Sequence, residues 1–105
     1  MGADQGLNRL TMDAVVAECS ELRYTPAGIP VLELLLDHRS EQVEAGRPRR
    51  VECALRAKAL GAMATALCAL PAGARIRCSG FLARRARVGT SVQLHVQEFE
   101  WLRGD

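Results

Sequence analysis

Three arginines, Arg84, Arg85 and Arg87, crowd into a short stretch that ends at Gly89. Three more, Arg47, Arg49 and Arg50, surround Pro48. A guanidinium grips a phosphate through two parallel hydrogen bonds and stacks on flat rings, so clusters of this kind point to a polyanion. The other reactive side chains offer less. His95 with Glu98 or Asp37 is an imaginable acid–base pair, but no nucleophile elbow and no glycine-rich phosphate loop accompanies it. His38 precedes Arg39 at a predicted strand end, where it touches phosphate or nothing. The reading is that the chain is not an enzyme and carries no cofactor.

Four cysteines, Cys19, Cys53, Cys68 and Cys78, are spread so that no two are closer than ten residues. That spacing matches no zinc motif, and two of them sit inside apolar runs. Buried free thiols in a reducing compartment are expected, with no metal. The N-terminus has neither a basic n-region nor an apolar h-region, and no apolar run is long enough to span a bilayer. A cytoplasmic location away from any membrane is the expectation.

The formal net charge of +2 hides an asymmetry. From Arg47 to Arg87 there are ten Lys/Arg against one acid, Glu52, a net of +9. The remainder holds four Lys/Arg against eleven Asp/Glu, a net of −7. Fields of one sign usually serve a partner, so one basic flank is expected.

These residues must be placed by strands. The stretch from Asn8 to Cys19 alternates, with Leu10, Met12, Ala14 and Val16 on one face. Pro26, Gly28 and Pro30 then mark a turn. A second strand covers Ile29–Ser40, with Leu32, Leu34 and Leu36 inward; helix is its rival on propensity, and Pro30 and the alternation favour strand. Residues 40–50 read as a long, mobile hairpin tip, broken by Gly46 and Pro48. A third strand covers Arg50–Leu55, with Val51, Cys53 and Leu55 inward. Over Arg56–Leu70 the period changes: Leu60, Met63, Leu67 and Leu70 recur at helical spacing, and Pro71 stops the helix. A fourth strand reaches Ala83, with Ile76, Cys78 and Leu82 inward, Arg75 and Arg77 outward, and a tight bend at Gly80. A fifth runs to Leu102, with Val92, Leu94 and Val96 inward. Phe99 and Trp101 fall out of phase with these. Either a bulge shifts the register near Glu98, or both faces are covered there.

Strand-strand-strand-helix-strand-strand in 105 residues is the order of an all-β OB-fold, a five-stranded barrel with one helix between strands three and four. An SH3-like barrel lacks that helix. A single domain over 1–105 is expected, with 1–7 disordered.

Several segments carry a specific likeness. Gly28–Gly46, reading GIPVLELLLDHRSEQVEAG, and Gly80–Leu102, with its Gly-Phe and Leu-His pairs, resemble the primosomal replication protein N (PriB) family. The "NRL" at Asn8 matches as well, so the likeness runs nearly the whole chain. It implies the single-stranded-DNA-binding-protein fold, a homodimer, and a role in replication restart. The partners implied are single-stranded DNA, the PriA helicase, DnaT and single-stranded-DNA-binding protein. The family's basic positions fall on Arg23, Arg39 and Arg49, and its loop cluster on Arg84, Arg85 and Arg87. Where the family holds aromatics near the hairpin tip, this chain has Arg47 and Glu52, and the loop before the last strand is about two residues shorter.

The expected DNA-binding residues are therefore Arg23, Tyr24, Arg39, Arg47, Arg49, Arg50, Arg84, Arg85 and Arg87. Tyr24 is the stacking candidate among four aromatic side chains, and arginine planes substitute in part. Phe81 is read as core or rim, and Phe99 and Trp101 as core or dimer packing. A protein adaptor recruiting an acidic segment through the same arginines is the rival reading.

Overall fold

The computed structural model describes residues 5–103. Residues 1–4 of the segment expected to be disordered lie outside the described residues, while Gln5, Gly6 and Leu7 are exposed and carry no regular structure. The elements are β1 (Leu10–Cys19), β2 (Arg23–Tyr24), β3 (Pro30–Glu44), β4 (Arg47–Leu60), α1 (Ala62–Cys68), β5 (Arg75–Arg84) and β6 (Val92–Trp101). No helix among the described residues is long and apolar enough to cross a membrane.

Two strand units make the barrel. One is the antiparallel sheet β1-β5-β6; the other is the β3–β4 hairpin. Two short seams join them. The first half of β1 pairs with β5, and the second half crosses to β3, where Val15 faces Asp37 and Cys19 faces Leu34. On the other side β4 and β6 run parallel, with Ala57 beside Leu94 and Lys58 beside His95. The circuit β1-β5-β6-β4-β3-β1 is thus the expected five-stranded OB-type barrel. The two-residue β2 is an addition at its edge, paired with Pro30 and Val31.

Alternation fills the interior. Ala14, Val16, Leu32, Leu34, Leu36, Ala57, Ala59, Ile76, Cys78, Leu94 and Val96 form one buried cluster, with Leu10, Met12 and Phe99 packed against it. The apolar face of β1 is therefore committed to the core. A one-residue bulge resolves the phase of the last strand. Gly80 pairs with Val96 while Ser79 pairs with Glu98, leaving Gln97 as the extra residue. Beyond the bulge, Phe99 falls opposite Cys78 and Trp101 opposite Ile76.

Three expectations need correction. Residues 40–50 are not an irregular tip. β3 and β4 stay in unbroken register out to Glu44 and Arg47, around a two-residue turn at Ala45 and Gly46. Both turn residues have positive φ, 53° and 77°, the backbone that such tight hairpins require. Ladder hydrogen bonds and matched lengths carry this ribbon despite its polarity. The helix is also shorter than its periodicity suggests. Residues 56–60 extend β4, because Ala57 and Ala59 plug the core in strand phase, and α1 begins after Gly61 (φ 70°). Finally, only Cys78 is a buried thiol; Cys19, Cys53 and Cys68 are exposed. Cys53 keeps the inward phase but lies past the barrel mouth, and Cys68 ends the short helix. Burial pushes the Cys78 thiol up to about 11. Among the described residues no cluster of His, Cys, Asp and Glu suits a metal.

Candidate nucleic-acid interface

Strand directions decide which arginines meet. From the His38–Cys53 pair outward the strands β3 and β4 pair only with each other, so the hairpin projects as an arm of seven cross-strand pairs, about 23 Å long. Because β6 runs parallel to β4, its start lies toward the same end as the arm's tip. The β5–β6 loop and the arm therefore leave the barrel from one end, beside neighbouring strands. The topology puts Arg84, Arg85 and Arg87 at the same end of the barrel as Arg47, Arg49 and Arg50.

Arg23 and Tyr24 lie elsewhere. β2 pairs with the beginning of β3, at the end opposite the arm. Arg23 is held by Glu33 at 2.6 Å. Tyr24 is 63% exposed and stands opposite Pro30.

The arm's arginines divide between its two faces, since partners on a ladder share a face and neighbours along a strand do not. Arg39 faces Glu52 and Glu41 faces Arg50 on the outer face. Arg47 faces Glu44 on the other, where Glu44 also binds Arg49 at 2.9 Å. From Asp37 to Glu52 the hairpin holds four arginines and four acids. The antiparallel fold thus sets the acids of β3 against the arginines of β4, and the arm is neutral overall. The strong asymmetry along the sequence is largely undone here.

The β5–β6 loop is different. Arg84 closes β5 opposite Val92, and Arg85 donates its backbone N–H to the Ser91 carbonyl at 3.0 Å. Arg84 to Ser91 contains three arginines and no acid, and every residue in it is exposed. None of these arginines joins an ion pair among the described residues, whose pairs are Arg9–Glu98, Arg23–Glu33, Arg49–Glu44 and Arg77–Asp13. This loop is the concentrated positive surface of the barrel's arm end.

Both ring nitrogens of His38 are engaged within the protein. Its Nδ1 lies 2.7 Å from the Asp13 carbonyl oxygen and must donate, because a carbonyl only accepts; its Nε2 shares a hydrogen bond with Ser40 Oγ at 2.8 Å. The ring thus ties the root of the arm to β1. Asp13 also takes two hydrogen bonds from Arg77, at 2.6 and 3.0 Å. That pairing holds its carboxyl below the ordinary value, against a smaller opposing effect of burial.

Of the two places expected for Phe81, core or rim, it takes the outer one: it lies opposite His95 across the β5–β6 pair, on the outside of the barrel, with Lys58 next to His95 on β4. Their shared phase, one residue out of step with Leu82 and Leu94, was the available signal. His95 itself pairs with neither Glu98 nor Asp37; its ring lies against Phe81.

Comparison with known proteins agrees with this geometry. A family model described as "Another single-strand binding protein family" matches residues 8–98. The chain is 47% identical over 98 residues to the replication restart protein PriB of Bordetella pertussis, covering 93% of this chain and 92% of that protein. It is 32% identical over 91 residues to PriB of Nitrosomonas europaea, covering 87% and 84%. The structure of PriB from Ralstonia solanacearum superimposes with a TM-score of 0.85 at 34% identity, covering 93% of this chain and all of that one. The single-stranded DNA binding protein from Thermus aquaticus superimposes with a TM-score of 0.75 at 27% identity, and 52% of its chain is covered.

Proposed function

The chain belongs to the PriB replication-restart family, non-enzymatic proteins built on the single-strand binding fold, and from that premise we propose that it binds single-stranded DNA through the β5–β6 loop. The observation that carries this reading is the acid-free run of Arg84, Arg85 and Arg87 on an exposed loop, at the same end as the projecting arm. Each phosphate neutralised there releases counterions, so affinity falls with salt. Arg47, Arg50 and Arg39 line the arm as weaker contributors, each set against an acid across the ladder. Arg49 and Arg23 are already engaged by Glu44 and Glu33. Arg23 and Tyr24 meet the strand only if it runs the length of the barrel to the other end.

In this role the protein acts in the cytoplasm as an accessory of the restart primosome. It bridges and stimulates the PriA helicase and its partner DnaT where single-stranded-DNA-binding protein covers the template. A homodimer fits the free edge of β1. Leu10–Ala14 pair with β5 on one side, and the β3 ladder begins only at Val15. A second copy's β1 satisfies that edge by strand addition about a twofold axis.

Fluorescence anisotropy with a labelled poly-thymidine strand, repeated with duplex over a salt series, tests the reading. Preference for the single strand with a steep salt dependence is expected. Affinity that ignores salt, or no binding even in dilute buffer, overturns it. The arm's balanced charges favour one further role, contact with a protein partner. An acidic partner segment that displaces the strand would place both on the arginine loop.

A further inference from the structure

One pair of rings near the arginine loop has no part in the core. The Phe81 and His95 rings are stacked, with centroids 4.9 Å apart and planes within 9° of parallel. They point away from the barrel interior, since Leu82 and Leu94, next along each strand, form the inward pair and Leu94 is fully buried. Both rings remain partly exposed. Along the outer face of β5, only the small side chain of Ala83 separates Phe81 from Arg85, a distance of about 13 Å. On the other flank Lys58 stands directly beside His95.

The remaining rings do not offer an alternative at this end. Phe99 packs against the core, the guanidinium of Arg103 covers Trp101 at 4.0 Å, and Tyr24 lies at the far end of the barrel. The arm, from Glu52 near its root to Arg47 at its tip, carries no Phe, Tyr or Trp. Burial, and then the Lys58 ammonium, hold the His95 pKa below its ordinary value. At neutral pH the ring is therefore an uncharged plane. Each ring of the pair covers one face of the other, and both rings still reach solvent in part. A nucleobase laid there extends the stack, and sequence-tolerant base stacking is what a strand-binding surface adds to phosphate contacts.

We propose that Phe81 and His95 form a stacking platform for a base of the single strand whose phosphates are held by Arg84, Arg85 and Arg87, with Lys58 contacting an adjacent phosphate. The inference rests on the single-strand-binding reading above. It is tested by comparing the affinity of the full chain for a thymidine strand with that for an abasic strand of equal length, at one salt concentration. The base-bearing strand is expected to bind about 5- to 150-fold more tightly, the range for one stacked base. In Phe81→Leu and in His95→Gln that ratio falls toward one. The second substitution guards against a folding defect in the first, and circular dichroism monitors both. Equal binding of the two strands by the wild type overturns the platform and leaves the phosphate reading standing. A ratio that survives both substitutions, or is lost in Tyr24→Leu instead, also overturns it. Failure to bind either strand overturns the underlying reading.

Discussion

Gly80 lies so close to His95 across the β5–β6 pair that a Cβ on Gly80 would overlap the His95 carbonyl oxygen. The contact occurs where the Gln97 bulge shifts the register. The obstacle is backbone and cannot turn aside. Gly80→Ala is expected to cost about 3 kcal/mol, the upper part of the range for overpacked sites. Urea denaturation measures it; a loss below about 0.5 kcal/mol would show that the two strands separate freely here.

The arginines of the loop and of the arm should behave differently. Replacing Arg84, Arg85 and Arg87 together with alanine is expected to flatten the salt dependence of single-strand binding by about two units of log–log slope, from roughly 0.7 per phosphate contact. Arg49→Ala should leave that slope nearly unchanged, because Glu44 already engages the guanidinium. Equal effects from the two variants would mean that the arm's acids do not offset its arginines.

The Asp13–Arg77 pair makes stability depend on acid. Its hydrogen bonds hold the Asp13 carboxyl below the ordinary 3.8. Stability from the pair is complete above that ordinary value and disappears as pH falls through the lower, folded one. Both side chains are substantially exposed, so solvent screening keeps the contribution small. Asp13→Asn should be slightly less stable at neutral pH, and denaturation curves of the two proteins should converge in strong acid. A constant gap at all pH values would exclude the charge as its source.

His95 gives a second titration. Burial first, and Lys58 second, lower its pKa from the ordinary 6.5. Folding therefore favours the neutral ring, and the associated stability, complete above that value, is lost as pH falls through the folded pKa. A proton NMR titration should place His95 below 6.5. Lys58→Gln should raise the value without restoring it, because burial remains. An unchanged value in that variant would mean that the ammonium is turned away from the ring.

The barrel was readable in the sequence because period-two alternation and a single helical segment fix strand number and order. Leu32, Leu34 and Leu36 behave as their pattern requires, and so does Ile76. The bulge was half visible: Phe99 and Trp101 were out of phase, but two explanations fit until Gln97 was seen unpaired. The arm was missed because its exposed strands carry no hydrophobic period, only ladder register. The arginine clusters were plain, whereas their neutralisation was not. Glu41 and Glu44 are close to the arginines in sequence, and only the hairpin shows that they face Arg50 and Arg47. Phe81 reads as core or rim from its apolar character alone, although its position beside Leu82 places it outward.

The parallel contact between β4 and β6 is the shorter of the two joints, with only the Ala57–Leu94 and Lys58–His95 pairs. The stacked rings lie on its β6 side, within the three-stranded sheet, and Lys58 faces His95 across it from β4. A guest seated on the rings with a phosphate on Lys58 would therefore splice the hairpin to the three-stranded sheet, and occupancy should register as stiffness. The amides around Leu94 would trade hydrogen for deuterium more slowly in the complex. Cargo and container would then brace one another, with no change of shape in either.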